Sequence, residues 1–198
     1  WSAVDPRVAD DLARLESLPG EVDILSQTRD NRTWVVYNNR TDRSGTYFLY
    51  DRESGALDEL FSIRPELADH ALRPMHPVEI EARDGLTLVS YYTLPEAADP
   101  DDDGDPEAAS PMVLYVHGGP WARDSYGYDT VHQWLANRGY AVLSVNYRGS
   151  TGFGKEFIAA ATHEFAGAMH DDLIDAVDWA IERGVTTRDE VAIMGGSY

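Results

Sequence analysis

The spacing of apolar residues changes character along the chain, and each change predicts a different kind of structure. The first third holds short aromatic and β-branched clusters at residues 21–27, 33–37, 45–50 and 57–61. Asp30-Asn31, Asp42-Arg43-Ser44-Gly45 and Glu53-Ser54-Gly55 divide them, so four short strands are expected. Ahead of these, Val8, Leu12 and Leu15 with Asp10, Asp11 and Arg14 between them predict a short amphipathic helix closed by Pro19-Gly20. Pro65, Pro74 and Pro77 then deny any long helix. Val78-Glu79-Ile80-Glu81-Ala82 alternates apolar with charged residues, Arg83-Asp84-Gly85 turns the chain, and residues 86–94 return as the second arm of a hairpin. From residue 112 the rhythm becomes strand and helix in turn. Residues 112–116 and 140–145 are buried strands, and 130–138 is a helix with Val131, Trp134 and Leu135 on one side. Residues 153–165 and 170–183 are helices, the second striped by Leu173, Ile174, Val177 and Ile181. The run Val191-Ala192-Ile193-Met194 is a last strand that enters Gly195-Gly196-Ser197-Tyr198.

Strands alternating with helices mean a parallel sheet with right-handed crossovers, whose ligands sit at the carboxyl ends of the strands. Residues 74–198 are therefore expected to be α/β. Four meander strands bury little by themselves but match one blade of a β-propeller in number and spacing, so residues 1–73 read as the end of a propeller domain. A small antiparallel sheet packed on the α/β part is the alternative. The chain opens on Trp1 rather than Met and its last residue falls within a motif, so it reads as a window on a longer polypeptide.

Composition narrows the chemistry. Sixteen Lys and Arg against thirty-five Asp and Glu give a net charge of −19, which repels phosphate backbones and anionic bilayers; neither nucleic acid nor membrane is an expected partner. With no cysteine, a disulfide framework, a thiolate nucleophile and a Cys-ligated metal are all excluded, and a cytoplasmic location is expected. Residues 95–111, with the run Asp99-Pro100-Asp101-Asp102-Asp103-Gly104-Asp105, predict a solvated loop. Its carboxylates are dense, yet the closing glutamate of a calcium loop is missing, so no metal is expected.

Two stretches carry candidate chemistry. Gly195-Gly196-Ser197 at the end of a strand can lift the Ser197 hydroxyl out of the sheet as a nucleophile. His117-Gly118-Gly119 comes directly after the strand 112–116, and a backbone without side-chain cover can aim an N–H at a small anionic oxygen. Their order suits acyl transfer, because one group must reach the carbonyl carbon while the other holds its oxygen.

These stretches, together with Gln133-Trp134-Leu135-Ala136-Asn137-Arg138-Gly139-Tyr140, Asn146-Tyr147-Arg148-Gly149-Ser150-Thr151-Gly152 and Met169-His170-Asp171-Asp172, resemble the prolyl oligopeptidase family of serine peptidases, in its acylaminoacyl-peptidase and dipeptidyl-peptidase branch. The resemblance implies an amino-terminal part of an α/β-hydrolase domain, preceded by a propeller blade. It implies that Ser197 forms an acyl-enzyme with peptide substrates, that the N–H groups of Tyr198 and Gly119 form the oxyanion hole, and that no cofactor is used. The triad Asp and His come after the serine in chain order in that family, so the 198 residues alone are expected to be inactive, and none of the six histidines present is promoted to base. Some branches place an oxyanion-assisting tyrosine where His117 stands, which leaves the second donor open between Gly119 and the His117 ring. His117 and Trp121 are candidates for the substrate cleft, and Arg148 is expected to tie its loop to Asp171 or Asp172. An esterase, or a non-catalytic interaction protein, are the alternative functions; the oligomeric state is left open.

Overall fold

The computed structural model describes residues 1–198. They divide into two compact units, Trp1–Leu72 and Arg73–Tyr198. In the first, β1 (Glu21–Gln27), β2 (Thr33–Asn39), β3 (Thr46–Asp51) and β4 (Ala56–Ser62) form an antiparallel meander in sequence order. Alternate residues of β2 face inward, as a strand with one buried face requires, and Trp34 and Val36 join Leu15, Val22 and Tyr50 in a small core. The helix α1 (Ala9–Glu16) contributes Leu12 and Leu15. Its Asp11 accepts hydrogen bonds from the Tyr50 hydroxyl at 2.9 Å and from Arg52 Nε at 2.8 Å, so this buried carboxylate is both bonded and paired.

The second unit is built on one mixed sheet. Its strands are β5 (His76–Glu81), β6 (Thr87–Thr93), β7 (Met112–Val116), β8 (Ala141–Val145) and β9 (Val191–Gly195), in the order β5-β6-β8-β7-β9. β5, β6 and β8 pair antiparallel, whereas β8, β7 and β9 run parallel. Every residue of the central strand β8 is buried, which is why it reads as an almost uninterrupted apolar run. The crossover helices are α2 (Thr130–Ala136), the short α3 (Lys155–Ala159) and α4 (Ala168–Glu182). α2 starts where Asp129 accepts the N–H groups of Val131 and His132, an aspartate cap on otherwise unpaired donors.

Four expectations are corrected. The helix predicted over 153–165 stops at Ala159, because the carbonyl of Phe157 accepts the N–H of Gly149 from another loop instead of continuing the helical ladder. Beyond it His163 and Ala166 adopt left-handed backbone, with φ of 67° and 57°. In α4 the buried face is Met169, Leu173, Ala176 and Ala180 with Asp172 among them, and Ile174 faces solvent; the ion pair of Asp172 turns that side of the helix inward. In α2, Trp134 is half exposed under the Arg138 guanidinium, while His132 and Gln133 are buried. These two polar side chains tolerate burial because they are bonded: His132 spans Thr93 Oγ1 and Ser144 Oγ, and Gln133 both donates to and accepts from the backbone of Arg73. Finally, the acidic loop is only partly solvated. Asp99 is fully buried, accepts the N–H groups of Asp103 and Gly104, and faces Arg73 and His76. Oxygens of Asp99, Asp101 and Asp103 lie within 4.8 Å of one another.

The loop after β8 is anchored by a buried ion pair. Asp172 accepts from the Arg148 backbone N–H at 2.8 Å, from Nε at 2.9 Å and from Nη2 at 2.7 Å, and Asp84 meets the same guanidinium at 2.9 Å. Each partner satisfies the other, so removal of one leaves a stranded buried charge. Asp172→Ala is expected to lower stability by about 3–5 kcal/mol, read as the shift of a chemical denaturation midpoint. The exposed ion pair of Arg188 with Asp178 is the control: Arg188→Ala should move the midpoint by less than about 1 kcal/mol.

Candidate active site

The register of the parallel strands brings the two candidate stretches together. β7 and β9 are neighbours with Val116 opposite Gly195, so the residues just beyond each strand leave the sheet side by side. Those residues are His117-Gly118-Gly119 on one strand and Gly196-Ser197-Tyr198 on the other. Contact between them is close enough to exclude a side chain. A Cβ on Gly118 would lie 2.4 Å from the carbonyl oxygen of Gly196 and 3.0 Å from Ser197 Cβ, and one on Gly195 would lie 2.9 Å from the carbonyl oxygen of Val116. Nothing lies within 4 Å of the equivalent point on Gly196.

Ser197 has φ of 66°, a left-handed backbone rarely taken by a residue with a Cβ, at the sharp turn where β9 ends. It borders a cavity of about 310 Å³ together with Gly119, Pro120, Tyr147, Phe165, Met169 and Tyr198. Ala166 and His170 complete the wall. Most of these groups are apolar, and Ser197 is the hydroxyl-bearing residue other than tyrosine among them. Ser197 Oγ makes no hydrogen bond to a histidine or a carboxylate among the described residues.

Two other predicted residues lie elsewhere. Trp121 is 69 % exposed and does not border this cavity. The His117 ring is packed behind it: stacked on Tyr147 with centroids 4.6 Å apart, Nδ1 3.0 Å from the carbonyl oxygen of Gly118 and Nε2 3.0 Å from Ser150 Oγ. Burial lowers its pKa, so the neutral ring is favoured. Tyr147 was not singled out by sequence, although it lies inside the Asn146–Ser150 stretch. It is fully buried, donates from its hydroxyl to the His117 carbonyl oxygen at 2.9 Å, and presents an edge to the Tyr198 ring at 5.6 Å. Burial pushes its pKa up to about 12, so the phenol stays protonated as a donor. Phe165 was missed as a cavity residue because it was expected in a helix that stops at Ala159, and Met169 and His170 because nothing local to the start of α4 reports that it faces the serine turn.

Asp124, seven residues beyond His117, is the anomalous charge of this region. Its backbone N–H and carbonyl are both bonded by the Asn146 side chain, but its Oδ2 is buried without a partner. Burial first, and Asp129 second, push its pKa up from 3.8 to about 7 against the opposing pull of Arg123.

Comparison with known proteins points the same way. Residues 126–198 match the model of the prolyl oligopeptidase family. The chain is 58% identical over 199 residues to dipeptidyl aminopeptidase BIII of Pseudoxanthomonas mexicana, an alignment covering 100% of this chain and 29% of that protein. It is 40% identical over 193 residues to dipeptidyl peptidase family member 6 of Caenorhabditis elegans, covering 90% and 26%. Among solved structures, a Mycobacterium tuberculosis puromycin-hydrolyzing peptidase aligns with TM-score 0.70 and 26% identity over 84% of this chain and 25% of its own. An acylaminoacyl peptidase of Pyrococcus horikoshii shares the fold with TM-score 0.69 at 20% identity, over 90% and 28%. The chain thus spans less than a third of the length of these relatives.

Two expectations arise from this geometry. Gly118→Ala must force the bend and the elbow apart, and since a displacement near 1 Å can cost about 100-fold in rate, fluorophosphonate labelling of Ser197 should slow by roughly that factor in the intact protein. Gly196→Ala, with open space at its Cβ, should label within about threefold of the parent. For Asp124, the folded pKa lies above the unfolded one, so between about pH 4 and 7 the folded state holds a proton that the unfolded state has released, and stability declines as pH rises. Asp124→Asn should therefore raise the melting temperature at pH 8 and raise it far less at pH 5; an equal effect at both pH values would contradict the assignment.

Proposed function

We propose, from the match of residues 126–198 to the prolyl oligopeptidase family and the likeness of the whole chain to a dipeptidyl aminopeptidase, that it is part of a serine peptidase cleaving peptide bonds through an acyl-enzyme on Ser197. The observation that carries the reading is the Cβ-excluding contact between the diglycine bend and the serine turn, at the edge of one cavity. In this reading Ser197 Oγ adds to the scissile carbonyl carbon, and the negative charge that develops on the carbonyl oxygen is held by the N–H groups of Gly119 and Tyr198. Collapse of the tetrahedral species breaks the C–N bond, the amine departs with a proton, and water later hydrolyses the ester. The proton of Ser197 goes to a histidine that, by the resemblance, comes after the serine in chain order. Both His117 ring nitrogens already face partners, which favours the Gly119 backbone over that ring as second oxyanion donor.

The four-stranded meander is read as a blade at the end of a propeller domain over residues 1–73, and residues 74–198 as the amino-terminal part of an α/β-hydrolase domain; the two compact units, which divide after Leu72, support that division. No helix is long and apolar enough to cross a membrane. The lack of cysteine fits a reducing compartment, and a cytoplasmic location is part of the proposal.

The test is made on the intact protein with a peptidyl p-nitroanilide and a fluorophosphonate. Ser197→Ala should abolish covalent labelling and reduce anilide turnover at least about 10⁴-fold, with an unchanged melting profile. His170→Ala, altered in the same cavity wall, should retain labelling. Labelling that persists in Ser197→Ala would defeat the proposal.

A further inference from the structure

Two consecutive glycines give the bend after β7 great rotational freedom, so something outside the bend must orient its peptide planes. Each peptide is rigid, and holding its carbonyl fixes the N–H on the opposite side. The plane whose N–H belongs to Gly119 has the Gly118 carbonyl at its other end, and that oxygen lies 3.0 Å from His117 Nδ1. The preceding plane has the His117 carbonyl, which accepts the Tyr147 hydroxyl at 2.9 Å. The His117 ring that grips the first plane is itself clamped, face to face with Tyr147 at an interplanar angle of 17° and 3.0 Å from Ser150 Oγ at its far nitrogen. The same Tyr147 ring meets the Tyr198 ring at 66°, directly after the serine.

We infer that Tyr147 is a positioning residue that sets the orientation of both oxyanion donors, through the His117 carbonyl and ring on one side and the Tyr198 ring on the other. The inference rests on the reading of Gly119 and Tyr198 as those donors. Tyr147 touches no reacting atom in this role. Its effect falls on the tetrahedral state, where the oxyanion is formed, and leaves ground-state binding of the peptide alone. The hydroxyl bond and the contact with both strands' ends distinguish it from Met169, which is buried in the core of the second unit, and from Phe165, which is largely exposed.

The experiment uses the intact enzyme, a peptidyl p-nitroanilide, and the peptidyl boronic acid of the same sequence, which forms a tetrahedral adduct on a nucleophilic serine. Tyr147→Phe keeps both ring contacts and removes only the hydroxyl bond; Tyr147→Leu removes all three. The Phe variant should lose about tenfold in kcat with KM unchanged, and boronate affinity should fall by the same factor. The Leu variant should lose about 100-fold in both. A role in stability alone would lower the melting temperature without moving kcat and boronate affinity in proportion, and that result overturns the inference. Full kcat in the Phe variant, or a change confined to KM, also overturns it while the serine reading stands. Failure of the unaltered enzyme to bind the boronate at all defeats the serine reading itself, and this inference with it.

Discussion

Two backbones pass each other with no room for a methyl group between them. Where β7 and β9 leave the sheet, a side chain on Gly118 would have to occupy space held by the Gly196 carbonyl and the Ser197 Cβ. The separation of parallel neighbours is fixed by their hydrogen bonds, so the two segments cannot drift apart, and only glycine lets them cross this closely. The candidate site depends on that contact, because it brings the residues that follow β7 and β9 together without any large side chain between Gly118 and the Gly196-Ser197 backbone.

The contact needs support, and most of it comes from the five residues after β8. Asn146 bonds the backbone of Asp124 and of Val89. Tyr147 holds the His117 carbonyl, and Arg148 is locked to Asp172 of α4 and to Asp84 of the turn between β5 and β6. Gly149 packs where a Cβ would fall 2.7 Å from Ala161 and 2.9 Å from Pro120, and Ser150 engages both the Tyr147 carbonyl and the His117 ring. One short loop thus bonds the diglycine bend, the loop beyond it, the long helix and the first hairpin. Its polar groups are buried, and their mutual satisfaction is what makes burial tolerable.

The electrostatics of the region separate by the same criterion. Asp172 is wholly buried yet surrounded by three donors from one arginine, and its charge is matched within an ion pair. Asp124 has one buried oxygen with no partner and another aspartate nearby, so the cost of its charge is uncompensated. A chain carrying a net charge of −19 therefore places one acid beside a matching cation and another where the neutral carboxyl is favoured.

Local signals in the sequence determined the elements and their order. The β-branched and aromatic clusters defined the meander, the apolar runs defined β7, β8 and β9, and Gly-Gly on two strand ends marked the bend and the elbow, because each of these depends on residues near in sequence. Tertiary structure decided what depends on distant partners. The Phe157 carbonyl went to Gly149 and ended α3 early; His132 and Gln133 were buried on α2 because Thr93, Ser144 and Arg73 were there to bond them. Tyr147 lies thirty residues from the His117 carbonyl it holds, and no periodicity reports such a bond. Spacing along the chain reveals which face of an element is apolar; only packing reveals which polar groups find a partner inside, and that is what assembled this site.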